Sequence, residues 1–154
     1  MGLLNGYWVN LPLLSELCKR YPNIDVYGGP EPPKHYGINY KGYAPSKDVI
    51  AEYQFGLVTI SDDPLRKSSF SSKHLEYLSY GLPVLTPSWR QDSLLEGGSI
   101  YYNDSDSLGE EIHEYLNADE WIKKSNMSLA IAKKMSWDNA LVGLDAVLKD
   151  GGLL

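Results

Sequence analysis

The sequence predicts an α/β fold, a doubly wound parallel sheet of the Rossmann-like type with a helical C-terminal segment. Three observations carry this prediction: strands alternate with helices, the connecting loops are short, and residues 56–61 form a continuous apolar run. Such a run is typical of a strand that helices cover on both faces of a parallel sheet. No repeat, low-complexity tract or linker interrupts the order, so residues 1–154 are expected to form one domain.

The first half of the chain is expected to contain two helices and two short strands ahead of the apolar run. Asn10 is suited to cap the first helix, and strands follow at residues 24–27 and 39–43. Ser46 is suited to cap the second helix. The residues expected on the inner faces of these helices are Leu13, Leu14, Leu17 and Cys18, and then Val49, Ile50 and Tyr53.

The second half continues the alternation and then becomes helical. The predicted elements are a helix at residues 72–80, a strand at 83–86, a short helix at 93–95 and a strand at 99–102. Asp104 and Asp106 flank the start of the next helix and are interpreted as capping residues, and Ser136 caps the last one. The apolar residues expected on these helices are Leu108, Ile112, Tyr115 and Leu116, then Trp121 and Ile122, and then Leu141, Leu144 and Leu148.

Composition narrows the classes of function. A net charge of −6 argues against nucleic acid as a partner, because the phosphate backbone favours dense patches of Lys and Arg. The single cysteine, Cys18, excludes an internal disulfide and favours a reducing compartment, so a cytoplasmic location is expected. His35, His74 and His113 lack the spacing of metal ligands, so no metal or cofactor is expected. His74 is expected to be exposed, or else to contact a ligand.

The beginning of the chain does not look like the first strand of such a sheet. Leu3 to Val9 makes a poor strand, since Asn5 and Gly6 stand in its middle. A doubly wound fold usually starts with a clean hydrophobic strand. We therefore expect the chain to begin at or just past its first strand.

The helix expected at residues 72–80 has firmly specified ends and unusual charges. Ser71 or Ser72 supplies the N-cap, and Gly81 fits the left-handed position after the last turn. Lys73 stands in the first turn, where the helix dipole is already positive, and it precedes Glu76 in the weaker order for an ion pair. Two interpretations stay open: a solvated helix with incidental charges, or an anion site suited to a diphosphate.

The string from Lys73 to Val84, Lys-x-x-Glu-Tyr-Leu-x-x-Gly-Leu-Pro-Val, resembles a signature in the C-terminal domain of bacterial GT-B glycosyltransferases. Residues 39–43, Asn-Tyr-Lys-Gly-Tyr, and residues 135–140, Met-Ser-Trp-Asp-Asn-Ala, are similar to flanking elements of that family. The resemblance runs from about Leu13 to Leu148. The Ser-x-Lys form also resembles exopolysaccharide glucuronosyltransferases of the xanthan type.

The resemblance implies the donor-binding half of a two-domain enzyme that uses a nucleotide diphosphate sugar, with a UDP-sugar expected, in polysaccharide or glycolipid assembly. Glu76 would bind the ribose hydroxyls, and Ser71, Ser72 and Lys73 would receive the diphosphate. Tyr43 is a candidate for stacking on the base, or else a core or edge residue. Gly28 could allow close approach of the ligand, or form a plain turn.

In that family the acceptor and the usual catalytic base belong to an N-terminal domain, so no catalytic residue is expected here and the chain alone should be inactive. The resemblance also allows peripheral membrane association of the full-length enzyme. One departure concerns the donor sugar. The acidic residue that many retaining members carry is Ser68 here, although Phe70 is in place. The neighbours Asp62, Asp63 and Arg66 either belong to a solvated loop or substitute for it.

Two other classes of protein remain as alternatives. A nucleotide-sugar epimerase shares the architecture, and a non-catalytic nucleotide-sugar-binding module would share the site. A receiver domain fits less well, because no acidic pair precedes Asp62 and Asp63 in the pattern that a phospho-acceptor site needs.

Overall fold

The computed structural model describes residues 9–44, 46–67, 69 and 71–150, apart from the side chains of residues 140, 143–147 and 150. Residues 1–8, which make up most of the stretch expected to be a poor strand, lie outside the described residues, as do Ser68 and Phe70. The protein is α/β, with about 53% helix and a three-stranded parallel sheet. The α/β class predicted from the sequence is therefore confirmed.

The sheet consists of β1 (Gly56–Leu57), β2 (Val84–Pro87) and β3 (Ser99–Tyr102), in the order β1-β2-β3. Both pairings are parallel: β1 runs beside the first half of β2, and all four residues of β2 pair with β3. The second and third strands lie where the sequence predicts them. The first is shorter than the apolar run, although the hydrogen bond from the Val58 N–H to the Leu85 carbonyl extends the pairing by one residue.

The two strands predicted at residues 24–27 and 39–43 form a separate parallel contact. Val26 and Tyr40 make an isolated bridge, and the Gly28 N–H bonds the Gly42 carbonyl at 2.9 Å. The two predicted strands lie at the correct positions, but their predicted lengths are too great, because they pair through a single bridge.

Five helical segments precede β2 among the described residues, including a short 3-10 helix at Lys34–Tyr36. The first, α1 (Leu11–Arg20), is capped as predicted by Asn10, whose side chain accepts the Leu13 N–H at 3.1 Å. Ser46 also caps as predicted, but Lys47–Glu52 is a 3-10 helix instead of an α-helix. The short α2 (Pro64–Lys67) stands in the predicted loop, and α3 (Ser72–Ser79) follows it.

The C-terminal segment is helical, as predicted, and consists of α4 (Ser105–His113), α5 (Ala118–Lys134) and α6 (Trp137–Asp150). Asp104 caps α4 through the Ser107 N–H, whereas Asp106 pairs with Arg20 on α1. Two details of the prediction are wrong. Residues 93–95 form a turn, with the 3-10 helix at Glu96–Gly98, and Leu116 is 71% exposed because Glu114–Leu116 tightens into a 3-10 turn.

Apolar side chains pack on both faces of the sheet, because neighbouring strand residues point to opposite sides. On one face Leu85, Ile100 and Tyr102 pack with residues of α1 and α4. On the other, Val84 and Val58 pack with Leu78 of α3 and with residues of α5. The alternation along β2 thus places α3 and α1 on opposite sides of the same strand.

Cys18 is a buried thiol on α1, where it packs with Leu14 as the sequence predicts. Burial raises its pKa above the ordinary value. None of the helices in the described ranges combines the length and the apolar character needed to cross a bilayer.

Candidate functional site at the start of helix α3

The first turn of α3 combines a hydroxyl N-cap, backbone N–H donors and a lysine. Ser71 is the N-cap, and its Oγ accepts the His74 N–H at 3.3 Å. The N–H groups of Ser72 and Lys73 have no intrahelical acceptor, since the first turn of any helix leaves its donors free. The first turn contains no acidic residue. The helix end therefore offers two amides, a hydroxyl and an ammonium group to an anion.

The far end of α3 explains the glycine and proline of the signature by structure alone. Gly81 has φ +74°, a left-handed conformation that favours glycine, and the Leu82 N–H bonds back to the Tyr77 carbonyl at 3.1 Å. Pro83 then begins the approach to β2. These residues end the helix and carry no argument about ligands.

Glu76 is held between two lysines. The Lys73 Nζ lies 2.5 Å from Oε2 of Glu76, and the Lys47 Nζ lies 2.9 Å from Oε1. The glutamate side chain is only 12% exposed, whereas Lys73 is 42% and Lys47 is 70% exposed. The carboxylate is thus fixed in position, while its two partners reach it from the solvent side.

This arrangement determines the charge of Glu76. Burial opposes its ionisation, but the hydrogen bonds from Lys73 and then Lys47 outweigh burial and hold its pKa below the ordinary value. The hydrogen bond to Glu76 in turn raises the pKa of Lys47. Glu76 is therefore a carboxylate near neutral pH, with acceptor capacity beyond its two ammonium partners.

Arg90 braces the loop that leads into α3. Its guanidinium donates to the carbonyl of Arg66 at 2.7 Å and to that of Ser69 at 2.6 Å. The residue is buried, with 8% exposure, and burial lowers its pKa from the ordinary value. Sequence reasoning could have selected Arg90 from its position three residues past the end of β2, because ligand loops follow the carboxyl ends of parallel strands.

The sequence prediction of an exposed His74 is wrong. His74 is 2% exposed, and its Nε2 lies 3.0 Å from the Ser99 hydroxyl. The Ser99 hydroxyl donates its hydrogen bond to the Leu95 carbonyl. The imidazole must therefore be the donor in its bond with Ser99, and it carries its hydrogen on Nε2. The side chain points under the helix toward β3, which helical spacing from Leu78 could have indicated.

Gly28 and Tyr43 belong to two loops that a backbone hydrogen bond joins. The bond between Gly28 and Gly42 joins the two loops, and Gly28 has φ +90°, a value that favours glycine. Tyr43 is 76% exposed. An exposed ring excludes the core interpretation of Tyr43 and leaves the stacking or edge interpretations.

Three further polar residues, which the sequence prediction missed, form a network near Gly28. The Tyr53 hydroxyl donates to Oδ2 of Asp25 at 2.7 Å and lies 2.9 Å from the Tyr27 hydroxyl, and the two rings meet edge to face. Burial, followed by the bonds to Tyr27 and Asp25, raises the pKa of Tyr53. The twelve tyrosines were noticed only as a total, and nothing in their spacing singles out this pair.

A cavity of about 640 Å³ runs from the first turn of α3 to Tyr27 and Tyr53. Of the predicted site residues, Ser71, Ser72 and Lys73 line it, whereas Glu76, Gly28 and Tyr43 are not among the lining residues. Its lining residues include the cationic side chains of Arg66, Lys73 and Arg90 and the carboxylate of Asp25. These cations are grouped in a protein whose net charge is −6.

No protein-family model matches the chain, and the curated proteins contain no significant match to it. Among the described residues there is also no group of three His, Cys, Asp or Glu side chains placed to hold a metal ion.

Proposed function

We propose that this chain is the nucleotide-sugar-binding half of a GT-B glycosyltransferase, with a Rossmann-like, doubly wound fold and with the diphosphate bound at the first turn of α3. One observation carries the proposal: a cationic helix start, open to a large cavity, stands beside a fixed and ionised carboxylate. A nucleoside diphosphate needs both features, because it presents an anion and a pair of adjacent hydroxyls.

The amides of Ser72 and Lys73, the Ser71 hydroxyl and the Lys73 ammonium would hold the diphosphate. In a transfer reaction this end of the site would stabilise negative charge on the leaving nucleotide. Lys73 is half-exposed, so it can turn from Glu76 toward a phosphate at little cost in packing.

Glu76 would accept hydrogen bonds from the two ribose hydroxyls. Its two exposed lysine partners would then serve to keep it ionised in the absence of ligand. Tyr43, as an exposed ring, would stack on the base, and Gly28 would allow the ligand to approach the loop closely. The donor is expected to be a UDP-sugar, and the acceptor would be held by an N-terminal domain.

The test is calorimetry with UDP, GDP, ADP and uridine on the wild type and on Glu76→Gln. We expect the substitution to weaken UDP binding by about 1–3 kcal/mol, since ribose loses a charged acceptor. If Glu76 served only its lysines, the substitution would free two cations, and UDP would bind more tightly. That increase would refute the ribose assignment.

Lys73→Met separates the two halves of the ligand. It should weaken UDP binding but leave uridine binding nearly unchanged, because its partner would be phosphate. Glu120 and Lys123 on α5 provide the control, since they form another i,i+3 pair, at 3.5 Å, on an exposed surface. Glu120→Gln and Lys123→Met should leave all four titrations unchanged.

The chain should bind UDP without transferring sugar, because the acceptor domain and the usual base would belong to the other half of the enzyme. Incubation with UDP-sugars and a lipid or saccharide acceptor checks this expectation. Product formation by residues 1–154 alone would contradict it.

A further inference from the structure

Lys47 and Lys73 reach Glu76 from different elements. Lys73 belongs to α3, as Glu76 does, whereas Lys47 opens the 3-10 helix Lys47–Glu52, which precedes β1. The two lysines also take different oxygens of the carboxylate: the Lys47 Nζ lies 2.9 Å from Oε1, and the Lys73 Nζ lies 2.5 Å from Oε2. Either lysine can therefore leave Glu76 while the other keeps its own bond.

The segment that carries Lys47 is anchored independently of Glu76. Ser46 caps it, because the Ser46 Oγ accepts the Asp48 N–H at 2.9 Å and donates to Oδ2 of Asp48 at 2.8 Å. Ile50, three residues after Lys47, is buried. The backbone at Lys47 is thus held by a cap on one side and by a buried residue on the other, so a movement of Lys73 leaves it in place.

Only one of the two lysines belongs to the phosphate end of the proposed site. Lys73 lines the cavity with Ser71 and Ser72, whereas Lys47 is not among the lining residues. A diphosphate at the first turn of α3 would draw the Lys73 ammonium away from Oε2, because phosphate oxygens are strong acceptors for a charged donor. Of the two cations that pair with Glu76 in the described part of the chain, Lys47 alone would then remain.

The charge balance of the occupied site depends on this remaining cation. Four residues separate Ser72 from Glu76 on α3, a distance of about 6 Å along the helix axis. A bound diphosphate would therefore bring negative charge close to the carboxylate, and the repulsion is screened poorly because Glu76 is nearly buried. An ammonium group on Oε1 offsets this repulsion and leaves Oε2 open to a ribose hydroxyl. Uridine brings no such charge, so Lys73 would stay on Glu76.

We propose that Lys47 is a positioning residue, which holds Glu76 as a charge-balanced ribose acceptor once Lys73 has turned to the phosphates of a nucleoside diphosphate. The assignment rests on the proposed function and gives the two lysines of Glu76 separate tasks. Lys73 binds the ligand, and Lys47 acts through the carboxylate alone. The ligands that depend on Lys47 are therefore nucleotides with a diphosphate, and not the nucleosides.

Calorimetry with UDP and uridine on Lys47→Met tests this assignment. We expect UDP binding to weaken at least about tenfold and uridine binding to change by less than about twofold, because only UDP removes Lys73 from Glu76. The uridine titration also shows that the variant is folded. Lys123→Met is the matched control, since Lys123 is equally exposed, at 71%, and pairs with Glu120. It should alter neither titration. Unchanged UDP binding by Lys47→Met, or an equal loss for both ligands, would overturn the assignment.

Two further variants show how Lys47 acts. In a Glu76→Gln background, Lys47→Met should change UDP binding by less than about twofold, since Lys47 no longer has a carboxylate to hold. A tenfold loss in that background would mean that Lys47 contacts phosphate directly, and the assignment would be wrong. Lys47→Arg keeps the charge and should bind UDP within about threefold of the wild type. If it loses as much as Lys47→Met, the ammonium is not what matters, and the assignment is again overturned.

Failure of this assignment can be told apart from failure of the proposed function. If the wild type does not bind UDP, or if Glu76→Gln binds it as well as the wild type, the ribose site is wrong, and the role of Lys47 is wrong with it. If Glu76→Gln weakens UDP binding while Lys47→Met does not, only the role of Lys47 is overturned.

Discussion

Acid should destabilise this protein through His74, and the structure fixes the sign. Burial, with the nearby charge of Arg90, lowers the pKa of this imidazole to about 4 from an ordinary 6.5, and Asp92 opposes the change only in part. The site suits a neutral ring: Nε2 donates to Ser99, and a second ring proton would appear at the positive end of α3.

The magnitude follows from proton linkage. Between pH 6.5 and pH 4 the unfolded chain binds a proton that the folded chain does not, so the free energy of unfolding falls as the pH is lowered through this window. The full difference of about 2.5 between the pKa values of His74 in the unfolded and folded chain corresponds to about 3 kcal/mol of unfolding free energy. At pH 5 the loss relative to pH 7 should be about 2 kcal/mol, a large part of the stability of a small domain.

Urea denaturation of the wild type and of His74→Gln at pH 7, 6 and 5 measures this effect. Glutamine can donate to Ser99 but does not titrate, so the variant should lose about 2 kcal/mol less than the wild type over this range. His113→Gln, at an exposed position on α4, is the control and should follow the wild type. If the wild type and His74→Gln lose the same free energy of unfolding between pH 7 and pH 5, the reasoning is refuted.

Three substitutions test a close packing contact, a buried hydroxyl and a helix cap, each by urea denaturation near neutral pH. A Cβ on Gly56 would lie 2.3 Å from the root of the Tyr77 ring, so Gly56→Ala should cost about 1–3 kcal/mol, and the stabilisation usual for Gly→Ala would contradict this. The Thr86 hydroxyl is buried with no partner among the described residues, so Thr86→Val should stabilise by about 1 kcal/mol, and a loss would indicate a bound water. Asn117 caps α5 through two N–H groups, so Asn117→Ala should cost about 1 kcal/mol, whereas Asn126→Ala, exposed within the same helix, should cost nothing.

Local chemistry made part of the fold predictable. Ser71 and Gly81 are correct as the boundaries of α3, because a cap and a left-handed residue act within a few positions of the chain. The strands around Leu85 and Ile100 are correct because a strand buried on both faces leaves a short apolar run. Leu116 was misplaced because a 3-10 turn shifts the angular position of every residue after it.

The candidate site was less predictable, because its parts come from distant positions. Lys73 and Glu76 are visible in sequence as neighbours on one helix, but Lys47 reaches Glu76 from a segment 29 residues earlier (76 − 47). His74 was misjudged because a charged or polar residue in a first turn usually faces solvent, and only β3 supplies its partner. No local pattern contains such contacts.

The two lysines on Glu76 change the meaning of the unfavourable charge order in α3. The sequence shows a lysine at the positive helix end and an ion pair in the weaker order, which leaves its presence unexplained. In the structure Lys73 and Lys47 share a carboxylate that is nearly buried. Their charges are therefore explained by this carboxylate, and the helix dipole and the order of the ion pair are no longer the relevant comparison. The lysines offset the cost of burying Glu76, and the remaining question is why an acid is buried there at all. Leucine at this position would satisfy a purely structural helix, so the ionised carboxylate is the feature that the proposed ribose contact would explain.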